Sequence, residues 1–330
     1  MSSIPGVPTT VLVAPDSFKG TFTATEVAAA IGRGLSTAGR PVDLCPIADG
    51  GEGTMTALLT ARGAVLHAAA VTDPLGRPLE ARFALDDRVG FRETAAASGL
   101  ALVAPGERDA VAASTQGTGE LIMAAVAAGA RTVCLGVGGS ATTDGGAGAI
   151  RAIERAGGLG EARLIVLCDV RTAFEDAARV FGPQKGADAR EVKRLTARLN
   201  ALARRLPRDP RGIAQTGAAG GLSGGLWAAF GAELVPGAGF VLDAVGFDGR
   251  MRAARAVVAG EGKLDEQSLV GKAVSEVATR ARQAGVPCHA VVGTLALDRM
   301  GRRVLDLEHV LQASTLDELE AAGRELASLI

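Results

Sequence analysis

Aromatic side chains are scarce in this sequence of 330 residues: they make up 3%, with no tyrosine and a single tryptophan. That argues against the stacking platforms on which nucleic-acid bases are bound. With 48% hydrophobic residues, the core must instead be built from Ala, Val, Leu and Ile. Charge imbalance is missing too, since 35 basic residues against 36 acidic ones give a net charge of −1. With no polybasic or polyacidic block, neither a phosphate backbone nor a membrane surface is addressed, and any bound anion must be met by local groups. The four cysteines sit in apolar stretches without Cys-x-x-Cys spacing, which favours reduced, buried thiols over disulfides or a zinc site. His67, His289 and His309 are scattered and match no metal-ligand spacing, which speaks against a histidine-based mechanism. The opening MSSIPGVPTT lacks a basic n-region, and the apolar run after it is broken by Asp16 and Lys19. Neither a signal peptide nor a membrane anchor is expected, and the expected location is the cytoplasm.

At about 150 residues per domain, the length suits two domains, or one large α/β domain with an insertion. Apolar runs of strand length alternate with longer Ala-rich helical patterns, which predicts βα units and a mainly parallel sheet. TVLVAP reads as a first strand, and the capping box of Thr23 and Glu26 starts a helix to about Leu35. Val42–Ile47 reads as a second strand, followed by the turn ADGGEG and a helix over MTALLTA that ends at Gly63. From Val65 to about Glu93 the texture changes to short alternating segments around the turns DPLG and DDRVG, which predicts antiparallel hairpins. Then come a helix over ELIMAAVAAG, the strand RTVCLGV, the strand LIVLCDV, and a long Arg-rich helix capped by Asp188 and Glu191. The Gly-rich region from Pro207 to Gly239 reads as a tight loop and a packed helix, and the βα texture returns with RAVVAGEG, CHAVVG and a final helix capped by Thr315 and Glu318.

Glycine is abundant, at 45 residues, and clusters just past strand ends, where parallel sheets bind ligands. The richest cluster, Gly136 to Ala149, follows a strand and opens a helix. Its backbone N–H groups could cradle phosphate oxygens, although it lacks the Walker A ending and the Gly-x-Gly-x-x-Gly fingerprint; a tight packing turn is the competing reading. Only five of the 35 basic residues are lysines. Lys19, Lys185, Lys263 and Lys272 stand beside glycine, whereas Lys193 lies in a polar helix. A compact ammonium suits a phosphate in a crowded loop better than a guanidinium does, which gives lysine a physical reason at those four places. Their glycines and carboxylates should raise the lysine pKa values, which counts against a lyase using a Schiff-base lysine. Acidic residues at strand ends complete the set: Asp16, Asp49, Glu52, Asp144, Asp169, Glu261 and Asp265. Each alone reads as a cap or turn residue. Together with the lysines they are what magnesium-nucleotide phosphoryl transfer requires, one carboxylate orienting the acceptor hydroxyl and others holding the metal.

The segments APDSFKG, IADGGEGT, VTDPLGRP, ETAAASGL, QGTGELI, GVGGSATTDGGAGA, VFGPQKGA, GAAGGLSGGL, GEGKLDEQSLVGK and VVGTL, in this order from about Val11 to Leu295, closely resemble the bacterial ATP-dependent glycerate kinase family. The resemblance implies a flavodoxin-like α/β domain made from both chain ends, residues 1–65 and 241–330, with a second α/β domain, 66–240, inserted between them. It further implies transfer of the γ-phosphoryl group of ATP to D-glycerate, at the 2-hydroxyl, with Mg2+. On this reading Lys19 and Lys185 meet phosphate or the glycerate carboxylate. Gly138, Gly139, Ser140, Asp144 and Gln184 serve phosphate or substrate, and Glu261, Asp265 and Lys272 close the site from the C-terminal part. Asp16, Asp49, Asp144 and Asp169 are unranked candidates for the base and metal ligands, with Glu52 and Asp265 beside Asp49 as further candidates for Mg2+. Partners are the small-molecule substrate and nucleotide, without nucleic acid or membrane; a homodimer is left open. Between the GGSATTDGG helix and the strand before CDV, the passage RAIERAGGLGEAR is shorter than is usual in the family, and RTAFEDAAR stands where many relatives have a Pro/Gly-rich turn. A non-catalytic sugar-acid sensor on the same scaffold is the alternative; it would be expected to lose some of the acidic strand-end residues, and all are present.

Overall fold

A computed structural model describes residues 9–269 and 272–330, so most of the N-terminal segment read above for a leader, and Val270 and Gly271 of the last glycine–lysine motif, lie outside the described residues. The first elements are β1 (Val11–Pro15), α1 (Ala24–Thr37), β2 (Val42–Leu44), α2 (Thr54–Arg62), β3 (Val65–Thr72), β4 (Pro78–Asp86), β5 (Val89–Glu93), α3 (Ala95–Ser98) and α4 (Gln116–Ala127). Then come β6 (Thr132–Gly136), α5 (Ala147–Arg155), β7 (Arg163–Leu167), α6 (Ala177–Phe181), α7 (Ala189–Ala203), α8 (Ala218–Phe230) and β8 (Glu233–Val235). The chain ends with α9 (Gly237–Ala244), α10 (Phe247–Arg252), β9 (Ala256–Leu264), α11 (Ala273–Ala284), β10 (Cys288–Leu295), α12 (Arg299–Val304), β11 (Leu307–Gln312) and α13 (Leu316–Leu329). No helix among the described residues is long and apolar enough to cross a membrane. All four cysteines are free and buried.

The chain divides into two compact units, residues 1–49 with 238–330, and residues 50–237. The first boundary falls at 49/50 and not at 65, because α2 packs on β4 and β5 of the second unit. The first unit holds a wholly parallel sheet in the order β2-β1-β9-β10-β11. Counted within the unit this is 2-1-3-4-5, the flavodoxin-like order, whose switch point lies between β1 and β9. Every residue of β1 is buried, as a continuous apolar run in a covered parallel strand requires. The strand expected to reach Ile47 stops at Leu44: Cys45 N and Ile47 N still donate to the Val13 and Pro15 carbonyls at 2.8 and 3.0 Å, but Pro15 has no N–H to return the next ladder bond to the Cys45 carbonyl. Residues 299–312, to which the sequence reading assigned no element, form α12 and the edge strand β11.

Both reciprocal bonds of the Thr23–Glu26 capping box start α1. This helix packs closely on α13, with Val27, Ile31 and Leu35 meeting Leu319 and Leu326 in the core. Glycines permit the approach, since a Cβ on Gly34 would lie 2.0 Å from the Glu320 carbonyl oxygen and one on Gly323 2.3 Å from that of Ile31. Both clashes are with backbone, so Gly323→Ala should lower the melting temperature by on the order of 5 °C. Gly249→Ala is the control, because nothing lies within 4 Å of its Cβ position on α10. Thermal unfolding checks the pair, and equal melting temperatures would contradict the packing argument.

In the second unit the sheet order is β3-β4-β5-β6-β7-β8. The first three strands are antiparallel, as the hairpin texture predicts, and β5 to β8 run parallel. The Asp73 carboxylate fixes the first turn by accepting from Leu75 N at 2.8 Å and Arg77 N at 2.9 Å. Aliphatic residues of β6 and β7 (Val133, Leu135, Leu164, Val166) join Leu121, Ile122, Ile153 and Leu222 in the main core. Arg92 on β5 is the largest fully buried side chain; its guanidinium lies 6.0 Å from the Phe83 ring with no hydrogen-bond partner, and burial pulls its pKa down to about 9. The shortened passage is visible as a direct crossing: α5 ends at Arg155, and three glycines with φ of +94°, +82° and +58° at 157, 158 and 160 turn the chain into β7.

Candidate functional site

In the first unit the loops at the carboxyl ends of the strands line a cavity of about 340 Å³, the place where open parallel sheets take ligands. Asp16 and Ser17 enter it from the end of β1, Asp49 follows β2, Glu261 comes from β9, Thr294 from β10, and Ser314 follows β11. Asp16 is 6% exposed. Its burial and the Asp49 charge push its pKa up to about 7, against the opposing pull of Lys19 and of the 2.6 Å bond from Ser17 N. Lys19 Nζ donates to Asp49 Oδ2 at 2.8 Å. Burial works against the charge on Lys19, but Asp49, Asp16 and Glu261 outweigh it and hold the ammonium above its ordinary value. Burial likewise raises Glu261, whose Oε1 is buried without a hydrogen-bond partner. The Glu261 oxygen without a partner, with the Asp16 and Asp49 carboxylates lining the same cavity, offers hard oxygen donors of the kind Mg2+ takes.

In the second unit a cavity of about 350 Å³ lies past the ends of β6 and β7. Gly138, Gly139 and Ser140 form one wall, and Gln184 and Lys185 another. Lys185 is 3% exposed and donates to Ser140 Oγ at 2.9 Å and to the Thr142 carbonyl at 2.5 Å. Its burial pulls the pKa down to about 7, outweighing the attraction of Asp144. The expectation that carboxylates raise all four glycine-flanked lysines therefore fails at Lys185, where burial is the stronger effect.

The four glycine-flanked lysines all reach these cavities, Lys19, Lys263 and Lys272 in the first and Lys185 in the second, while Lys193 is exposed on α7. Several acidic residues stand elsewhere than expected. Asp144 is 1% exposed and lines neither cavity. Its carboxylate accepts from Thr115 N and Oγ1 and from Gly146 N and Gly148 N, at 2.9 to 3.1 Å, so it pins the glycine loop to the start of α5. Asp169 accepts from Gly237 N at 2.8 Å, and Glu52 is exposed ahead of α2; neither lines either of these two cavities. Asp265 lies behind the lysines, 3.2 Å from Lys263 and 4.0 Å from Lys272. Burial draws its pKa up, but Lys263 and Gln267 N more than offset this and hold it low, so it orders the lysines and does not face the cavity. Sequence reasoning missed Ser17, Thr294 and Ser314, whose shared signal is a hydroxyl at or just past the end of a parallel strand.

The model of the glycerate kinase family matches residues 11–157 and 154–327, the two stretches overlapping within the shortened passage. Glycerate kinase of Bacillus subtilis (strain 168) is 38% identical over 327 aligned positions, covering 87% of this chain and 86% of its own. Glycerate 2-kinase of Escherichia coli (strain K12) is 35% identical over 328 positions, with the same coverage of 87% and 86%. A crystal structure from Salmonella typhimurium LT2, assigned as glycerate kinase 2, superposes with a TM-score of 0.83 at 32% identity, covering 98% of each chain.

Proposed function

Because the chain belongs to the glycerate kinase family, we propose that it transfers the γ-phosphoryl group of ATP to the 2-hydroxyl of D-glycerate, with Mg2+, in the cytoplasm. The observation that carries the chemistry is the near-neutral Asp16 in the first cavity. A general base works best with a pKa near the working pH, so Asp16 is assigned to take the proton of the acceptor hydroxyl. Lys19, tied to Asp49, meets an anionic oxygen of phosphate or of the glycerate carboxylate. Asp49 and Glu261 would hold Mg2+, which when bound neutralises charge on the phosphoryl oxygens. In the second cavity, Lys185 with the backbone of Gly138 and Gly139 and the Ser140 hydroxyl offers a preformed anion cradle for phosphate or carboxylate oxygens, and Gln184 adds an amide donor. The 2-position is supported by the name of the Escherichia coli relative.

ADP should form from ATP only when D-glycerate and a divalent cation are both present, as a coupled assay would record. A sugar-acid sensor would bind glycerate and release no ADP. Equal ADP release without glycerate, or none with it, contradicts the assignment.

A further inference from the structure

The amino-terminal ends of the first unit's strands carry a cluster that phosphoryl transfer does not use. We propose that His289, Glu308 and His309 form a binding site for one divalent transition-metal ion of the zinc type. A ligand atom from each of the three lies within 4.8 Å of the others. The sheet creates this meeting through an irregularity in its pairing. Cys288 pairs with Leu307 but Ala290 pairs with Val310, so His289 alone stands opposite both Glu308 and His309. Successive residues of a regular strand point to opposite faces, and a bulge of two residues against one re-aims a side chain. Here it sets the His309 ring parallel to that of His289, centroids 5.3 Å apart, with Glu308 Oε2 3.9 Å from His289 Nε2.

The bland reading is a buried histidine satisfied by hydrogen bonds, and the structure does not support it. His289 is 1% exposed, its Nδ1 is buried without a partner, and 3.9 Å is beyond hydrogen-bond reach for its Nε2. Two imidazoles and one carboxylate are a zinc donor set that leaves a fourth position open. Bonds of about 2.1 Å would bring the donor atoms to about 3.4 Å apart. The exposed Glu308 and half-buried His309 can close that distance by side-chain rotation while His289 stays fixed. His289 and Glu308 also border a hollow of about 390 Å³, which gives an ion access. The site is distinct from the carboxylate cavity, whose nearest lining residue on β10, Gly293, is four positions on, about 13 Å along the strand.

The full-length protein, stripped with chelator and held in millimolar Mg2+ to cover the carboxylate cavity, is titrated calorimetrically with zinc chloride, with Co2+ absorption as a second readout. One equivalent of zinc should bind with micromolar or tighter affinity, and one equivalent of Co2+ should give a visible band. His309→Ala and Glu308→Gln should each weaken binding at least tenfold, and His309→Cys should restore it by supplying another zinc ligand. Both positions lie on the edge strand, and Glu308 is exposed, so its variant carries the test should His309→Ala fail to fold. No stoichiometric binding, or binding unchanged in the folded variants, overturns the proposal.

Discussion

Asp16→Asn is expected to lower turnover by on the order of a thousandfold and, above neutral pH, to raise the melting temperature. The first effect follows from removing a positioned base, which typically contributes 10²- to 10⁴-fold. The second follows from linkage. The folded protein keeps the Asp16 proton up to about pH 7, whereas the unfolded chain releases it near the ordinary value of 3.8. Between these values the native state binds more protons than the unfolded state, so stability falls as pH rises from about 4 to about 7 and stays reduced above that range. Asparagine carries no such charge into the buried site. The variant should melt with the wild type near pH 4 and above it near pH 8, and the acid limb of kcat/KM, with its midpoint near 7, should vanish. A variant within threefold of wild-type turnover would remove Asp16 from the chemistry.

Lys185→Arg should cost on the order of a hundredfold in kcat/KM while Lys193→Arg leaves it unchanged. The two substitutions make the same chemical change. At Lys185 the ammonium sits 2.9 Å from Ser140 Oγ and 2.5 Å from the Thr142 carbonyl in a site 3% exposed, and a planar guanidinium must displace one of them. At Lys193 the side chain points from α7 into water. Because burial lowers the Lys185 pKa to about 7, the free protein loses this positive charge as pH rises through neutrality. The KM for the anionic ligand should therefore rise on the alkaline side. Steady-state kinetics from about pH 6 to 9 check this; a flat KM together with an active Lys185→Arg would show that the lysine meets no anion.

Much of this site could be read from residue types and spacing, because strand ends followed by glycine and lysine mark ligand loops in any parallel sheet. Capping boxes at Thr23 and Asp188 were legible for the same reason: their partners lie three residues away. What the sequence hid is long-range. Asp144 reads as one more acidic loop residue, yet its role is set by Thr115, 29 positions earlier. The lowered pKa of Lys185 depends on burial against a loop 43 to 45 positions away. The raised pKa of Asp16 comes first from burial and then from Asp49, which the fold brings beside it from 33 positions away. His289 and His309, twenty positions apart with no ligand spacing, meet only through the pairing of β10 with β11.

The central claim is phosphoryl transfer to the 2-hydroxyl of D-glycerate, and phosphorus NMR of the product tests it most directly. After incubation of the protein with ATP, Mg2+ and D-glycerate, the spectrum should show ADP and a single new phosphomonoester that matches authentic 2-phosphoglycerate on spiking. The same mixture with Asp16→Asn should show almost none. A phosphomonoester matching 3-phosphoglycerate would contradict the assigned position, and a spectrum with no new phosphomonoester would contradict the kinase assignment itself.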